Sequence, residues 1–195
     1  MKKNLVKMFA AFFFCGMVTT ILASCSKSDE PASGGGETPP PTIDNSIAKA
    51  EATYKLTFSD GIKASLNKAV DLKVEYYDGT GTLVTKTYTG AADDFSTTVN
   101  LSTIPTKCGM RVTASPKADL SGVGDDEAFN MVYSVEINVK ALNSNGGLVE
   151  SRAGAGGCKQ TDMLIKAMAA DKDDFSVFET KLFYKVSKDG IEFEK

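Results

Sequence analysis

The chain contains no histidine and no tryptophan. Without His, the Ser-His-Asp and Cys-His nucleophilic arrangements, the usual His-containing zinc sites and the commonest general base near neutral pH are all excluded. Without Trp, any stacking against a sugar ring falls to Tyr and Phe. Long apolar runs are scarce as well. After Leu22 no stretch reaches the roughly 20 apolar residues that a membrane-spanning helix needs. Basic residues are in deficit: 22 Lys and Arg stand against 25 Asp and Glu, a net charge of −3. Binding nucleic acid or anionic headgroups requires concentrated Lys and Arg, so no nucleic-acid partner is expected. No period of 20–50 residues repeats, which excludes solenoids and propellers.

What is present begins with a basic leader, Lys2, Lys3 and Lys7. An apolar stretch follows from Met8 to Leu22, broken only by Gly16 and Thr19-Thr20. That is the layout of a secretory signal. It ends in Leu22-Ala23-Ser24-Cys25, which resembles the bacterial lipobox. The resemblance implies cleavage before Cys25, removal of residues 1–24, a diacylglycerol on the Cys25 sulfur and an acylated amine. Two or more acyl chains anchor a protein stably where one holds it marginally. Position 26 is Ser rather than Asp, which resembles outer-membrane sorting. Ser28-Asp29-Glu30 resembles the surface-export signal of Bacteroidetes-type lipoproteins. Loss of the leader takes three basic residues and no acidic ones, leaving a charge of −6.

Residues 25–46 carry Gly34-Gly35-Gly36 and Pro39-Pro40-Pro41 with few apolar groups, a composition suited to a tether rather than a core. Residues 47–195 are long enough for one domain. Within them apolar residues recur with period two, the mark of strands with one buried face. Ala52, Tyr54, Leu56 and Phe58 form one such set, and Leu72, Val74 and Tyr76 another. Asp78-Gly79-Thr80-Gly81 supplies turn chemistry before Leu83–Tyr88 returns as a hairpin arm. Phe95, Thr97, Val99 and Leu101 alternate next, then Met110, Val112 and Ala114. Tyr133, Val135, Ile137, Val139 and Ala141 give the clearest pattern. Asn143 to Gly147 turns the chain into a short strand near Leu148. Phe178–Val186 and Ile191–Phe193 flank Ser187-Lys188-Asp189-Gly190, a further hairpin signal. About eight short strands are expected, in a mainly β, antiparallel β-sandwich of immunoglobulin-like character. One short helix is expected over Thr161–Ala170, where Met163, Leu164, Ala167 and Met168 fit helical spacing.

Two cysteines remain in the domain, Cys108 and Cys158. Either they pair, closing a loop of about 50 residues for roughly 4 kcal/mol, or they are two separate thiols. Disulfides persist in the envelope, but the short Cα separation a bridge requires cannot be read from sequence. The acidic clusters Asp93-Asp94, Asp125-Asp126-Glu127 and Asp171/Asp173-Asp174 fall in loops, where carboxylates are ordinarily solvated. None continues into the spaced ligands of a calcium loop, so neither a metal nor a cofactor is expected. Arg152-Ala153-Gly154-Ala155-Gly156-Gly157 lacks the Lys-Ser/Thr pair of a phosphate cradle and reads as a flexible surface loop. No catalytic residue is expected, and the chain reads as a non-enzyme.

Tyr77, Tyr88 and Phe183 fall opposite the apolar stripes of their strands. Tyr77 and Tyr88 are the candidate aromatics for contact with a sugar. Taken together, Leu22–Cys25, Ser28-Asp29-Glu30, the Gly/Pro tether and the β-domain resemble the small Bacteroidetes-type surface lipoproteins. That group includes glycan-capturing lipoproteins of polysaccharide-utilisation systems and fimbrial subunits. The resemblance implies an outer-membrane, surface-exposed, non-enzymatic binding or structural module. Its partners would be the membrane through the lipid and a glycan or another surface protein.

Overall fold

Period-two patterning closes into two packed antiparallel sheets in a computed structural model that describes residues 45–170 and 172–194. The expected leader, Cys25 and all but the last two residues of the tether lie outside the described residues. Nine strands are described: β1 Lys49–Phe58, β2 Val70–Tyr77, β3 Leu83–Tyr88, β4 Phe95–Leu101, β5 Thr106–Pro116, β6 Phe129–Leu142, β7 Leu148–Met163, β8 Thr180–Ser187 and β9 Gly190–Glu194. One sheet has the order β4-β1-β6-β7 and the other β3-β2-β5-β8-β9. This is a β-sandwich, and its strand count is one above the expectation.

The buried stripes meet between the sheets. Ala52, Tyr54, Leu56, Val135 and Ile137 come from the four-stranded sheet, and Leu72, Val74, Met110, Val112 and Val186 from the five-stranded one. Two tyrosines tie the core together through their hydroxyls. Tyr54 accepts a hydrogen bond from the Gly109 N–H on the opposite sheet at 3.2 Å. The Tyr133 hydroxyl donates to the Phe178 carbonyl. Burial pushes both phenols above their ordinary range, so both stay neutral hydrogen-bonding groups.

Three elements differ from expectation. A helix α1, Ile62–Lys68, closes one end of the sandwich, burying Ile62, Ser65 and Leu66 at helical spacing. The Ser65 hydroxyl donates to the Asn130 carbonyl at 2.6 Å. The helix expected over 161–170 shrinks to α2, Ile165–Met168, because Thr161–Met163 complete β7. A 3₁₀ segment, Lys172–Phe178, then leads into β8.

The third difference is β7 itself. The short strand near Leu148 is in fact 16 residues long, and the glycine-rich run is its interior rather than a loop. Alternate residues Gly154 and Gly156 face the other sheet. A Cβ on Gly154 would collide with the Tyr184 hydroxyl, and one on Gly156 would come within 2.9 Å of Thr180 Cγ2. Glycine here lets two strands of opposite sheets approach closely, its usual role inside a strand.

Candidate binding face

In an antiparallel sheet, residues directly opposite one another share a face. Leu83 pairs with Tyr77, Gly109 with Phe183 and Phe183 with Glu194. The β2–β5 register, which ends at Tyr76–Met110, leaves Tyr77 and Gly109 as the next residues on each strand, so the five form a row on the solvent side of the five-stranded sheet. Tyr77 and Phe183 stand on either side of a residue with no side chain. Their rings close over that gap edge to face, with centroids 5.6 Å apart. Gly109 has φ +140, and a Cβ there would run into the Leu182 carbonyl and the Phe183 ring. Both rings are half-buried, and Leu83 beside them is 41% exposed. The result is an apolar stripe about 15 Å long, from three strand spacings.

Charged side chains border the stripe on both sides. On one side the row is Glu75, Arg111 and Lys181. Glu75 lies on this outer face yet is only 5% exposed. Lys73 Nζ approaches its carboxylate at 2.6 Å and Arg111 Nε at 2.8 Å, with Arg111 Nη2 on the same oxygen. The hydrogen bond from Lys73, then those from Arg111, hold the Glu75 carboxyl below the usual carboxylate range against the opposing effect of burial. On the other side Lys107 and Lys185 lie opposite each other, with Glu192 beyond Lys185. Glu194 pairs with Lys107 at 2.9 Å and raises its ammonium pKa. Lys181 Nζ sits 5.6 Å from the Phe183 ring centroid, within cation–π range.

Tyr77 is thus on the face expected of it. Tyr88 is not. It lies opposite Leu72 and is 5% exposed, its ring edge-on to Phe58 at 5.2 Å. The reason is parity. On β3 the inward residues are Val84, Lys86 and Tyr88, and a lysine in the middle of that set hides the apolar stripe from sequence. Lys86 reaches over the Tyr88 ring at 4.8 Å from its centroid. The buried Tyr88 hydroxyl has no hydrogen-bond partner. A buried unpaired hydroxyl is costly, so Tyr88→Phe is expected to raise stability by about 1 kcal/mol. Urea unfolding checks this, and a loss of stability would show that the hydroxyl has a partner.

Cys108 and Cys158 are both buried, free thiols, one on β5 and one on β7, in opposite sheets. Of the two readings the sequence allowed, the structure has the separate thiols. Burial pushes the Cys108 thiol up to about 12 and Cys158 to about 11. Thiolate is the reactive form, so both are chemically quiet near neutral pH. Iodoacetamide at pH 8 should leave Cys108 and Cys158 unlabelled in the folded chain and modify both once it is unfolded without reductant. A requirement for reductant would demonstrate a bridge.

The acidic clusters serve locally. Asp94 accepts the Phe58 N–H at 3.0 Å. Asp125 pairs with Lys166 at 2.8 Å and Glu127 with Lys68 at 2.6 Å. The side chains of 171, 173 and 174 lie outside the described residues. Among the described residues no three His, Cys, Asp or Glu side chains are grouped to hold a metal ion, and no helix is long and apolar enough to cross a membrane. A shallow groove of about 360 Å³ beside Thr57, Ser134 and Lys159 offers, besides that lysine, only the Tyr133 phenol and the Cys158 thiol, both held neutral by burial. Comparison with protein families, with curated proteins and with solved structures yields no match.

Proposed function

We propose that this chain is an outer-membrane lipoprotein, anchored through Cys25 and exposed at the cell surface, whose immunoglobulin-like sandwich acts by binding rather than by catalysis. The stripe formed by Leu83, Tyr77 and Phe183 over Gly109 carries the binding half of this reading. Soluble folds ordinarily hide aromatic rings, and an aromatic stripe edged by hydrogen-bonding charges is the composition of a recognition surface. The anchor and address are supported by the lipobox, Ser26 and the acidic residues after it. A glycan is the favoured ligand, because the apolar face of a pyranose ring stacks on Tyr and Phe.

Titration of the detergent-solubilised full chain against a panel of polysaccharides tests the ligand class. Binding that weakens about tenfold in Tyr77→Ala, equivalent to about 1.4 kcal/mol, supports it. Silence across the panel removes it. Mass spectrometry of the natural N terminus tests the anchor, and an intact Met1 would overturn it.

Assembly through an edge strand is the second reading, and one observation favours it. β7 borders its sheet along 16 residues, and from Ser151 to Gly157 its outward side carries Ser151, Ala153, Ala155 and Gly157 with neither proline nor charge, Lys159 being the first charge beyond them on that side. Edges of that kind accept an added strand. Monomers alone, in both purified protein and native envelope extracts, would rule this out.

A further inference from the structure

We infer that the five-stranded sheet's outer face takes an acidic saccharide, one bearing carboxylate or sulfate groups along its length. This rests on the glycan reading above and narrows it. The two outer faces differ in how charges confront each other. On the four-stranded sheet, opposite signs meet across strands: Glu51 faces Lys140 and Lys55 faces Glu136. On the five-stranded sheet, like signs meet: Lys107 faces Lys185 and Arg111 faces Lys181. Like charges directly opposite one another destabilise a sheet, and here two such pairs flank one aromatic ring. Glu75 answers Arg111 from β2, and Glu194 reaches Lys107 from β9 across β8. Lys185, on the β8 side, is exposed beside them. Five cations on the outward positions (Lys73, Lys107, Arg111, Lys181, Lys185) meet four carboxylates (Asp71, Glu75, Glu192, Glu194), and Lys117 neutralises Asp71 at 2.8 Å. On these strand positions cations outnumber carboxylates by one, in a chain that is acidic as a whole.

The geometry points to a ligand that is both flat and polyanionic. Lys181 and Lys185 lie on β8 two residues either side of Phe183, their Cα atoms about 13 Å apart along the strand. One small anion cannot reach both. A saccharide whose ring lies on Tyr77 and Phe183 presents its acidic substituents to the cation pairs on either side. A bare phosphate or a lipid headgroup supplies the charge without the ring.

Affinity electrophoresis of the full chain in detergent tests this, with polygalacturonate, a sulfated glycosaminoglycan, a neutral glucan and phosphatidylglycerol vesicles as separate probes. Retention by an acidic polysaccharide is expected, weakening at least tenfold between about 20 and 300 mM salt as screening shortens. The double variant Lys181→Gln/Lys185→Gln should lose at least tenfold in retention while still unfolding in one cooperative urea transition, so that the loss is not a loss of fold. Carboxyl-reduced polygalacturonate should not be retained. Binding of the neutral glucan alone would overturn the acidic assignment and leave the glycan reading standing. Retention by vesicles alone would assign the face to a headgroup and overturn it. No retention by any probe would sink both.

Discussion

Gly109→Val is expected to destabilise the chain by about 2–6 kcal/mol, a large part of the stability of an ordinary domain. Two costs combine. A side chain at φ +140 occupies a sparsely populated backbone region, about 1–3 kcal/mol. Its Cβ also enters space held by the Leu182 carbonyl and the Phe183 ring, and overpacking of this kind costs about 1–3 kcal/mol more. The carbonyl belongs to the paired strand and cannot rotate away, so β5 and β8 must separate. Separation would also strain the Gly109 N–H bond to the Tyr54 hydroxyl, the tie between the two sheets. Gly81→Ala is the matched control. It too has positive φ, +80, but only the Thr106 hydroxyl lies near, at 3.6 Å, so about 1–2 kcal/mol is expected from the backbone alone. Urea unfolding of both variants separates strain from collision. A Gly109→Val midpoint no lower than that of Gly81→Ala would refute the close-approach account, and with it the reason the two aromatic rings meet.

The strands with side chains on both faces were legible in the sequence. β6 alternates through Tyr133, Val135, Ile137, Val139 and Ala141, and all of these are buried. The β2–β3 and β8–β9 hairpins sit where their turn residues placed them. β7 was not legible, because alternation is a contrast between side chains and Ala153–Gly157 has almost none. Only the partner sheet explains those glycines: Tyr184 occupies the volume that a side chain at 154 would need. The helix α1 did leave a signal, Ile62 followed by Ser65 and Leu66, but the run is only seven residues long. In the candidate site, Tyr77 and Phe183 were each readable as outward-facing. Their meeting was not, since it depends on a register joining residues 106 positions apart through a glycine between them. The like-charge pairs across β5 and β8 are invisible for the same reason.

Glu75→Gln is expected to cost about 1–3 kcal/mol near neutral pH, because it removes the anion shared by Lys73 and Arg111. The cost stays below the range for wholly buried pairs, since the Lys73 and Arg111 side chains are 49% and 37% exposed. Its pH dependence has a definite sign. The Glu75 carboxyl is depressed in the folded chain, so the unfolded chain binds the proton more readily. The stabilisation is therefore complete above the ordinary carboxylate pKa and is lost as pH falls through the lower, folded value. Wild type and variant should differ most at pH 7 and converge as pH falls below the ordinary carboxylate range in urea titrations. A gap of constant size across that range would mean that Glu75 acts through shape rather than charge. The same substitution also leaves two cations on the candidate face without their counter-ion. An acidic polysaccharide should then be held several-fold more tightly by a less stable protein. A structural ion pair alone predicts no such gain, so stability and retention moving in opposite directions would mark this cluster as part of a recognition surface.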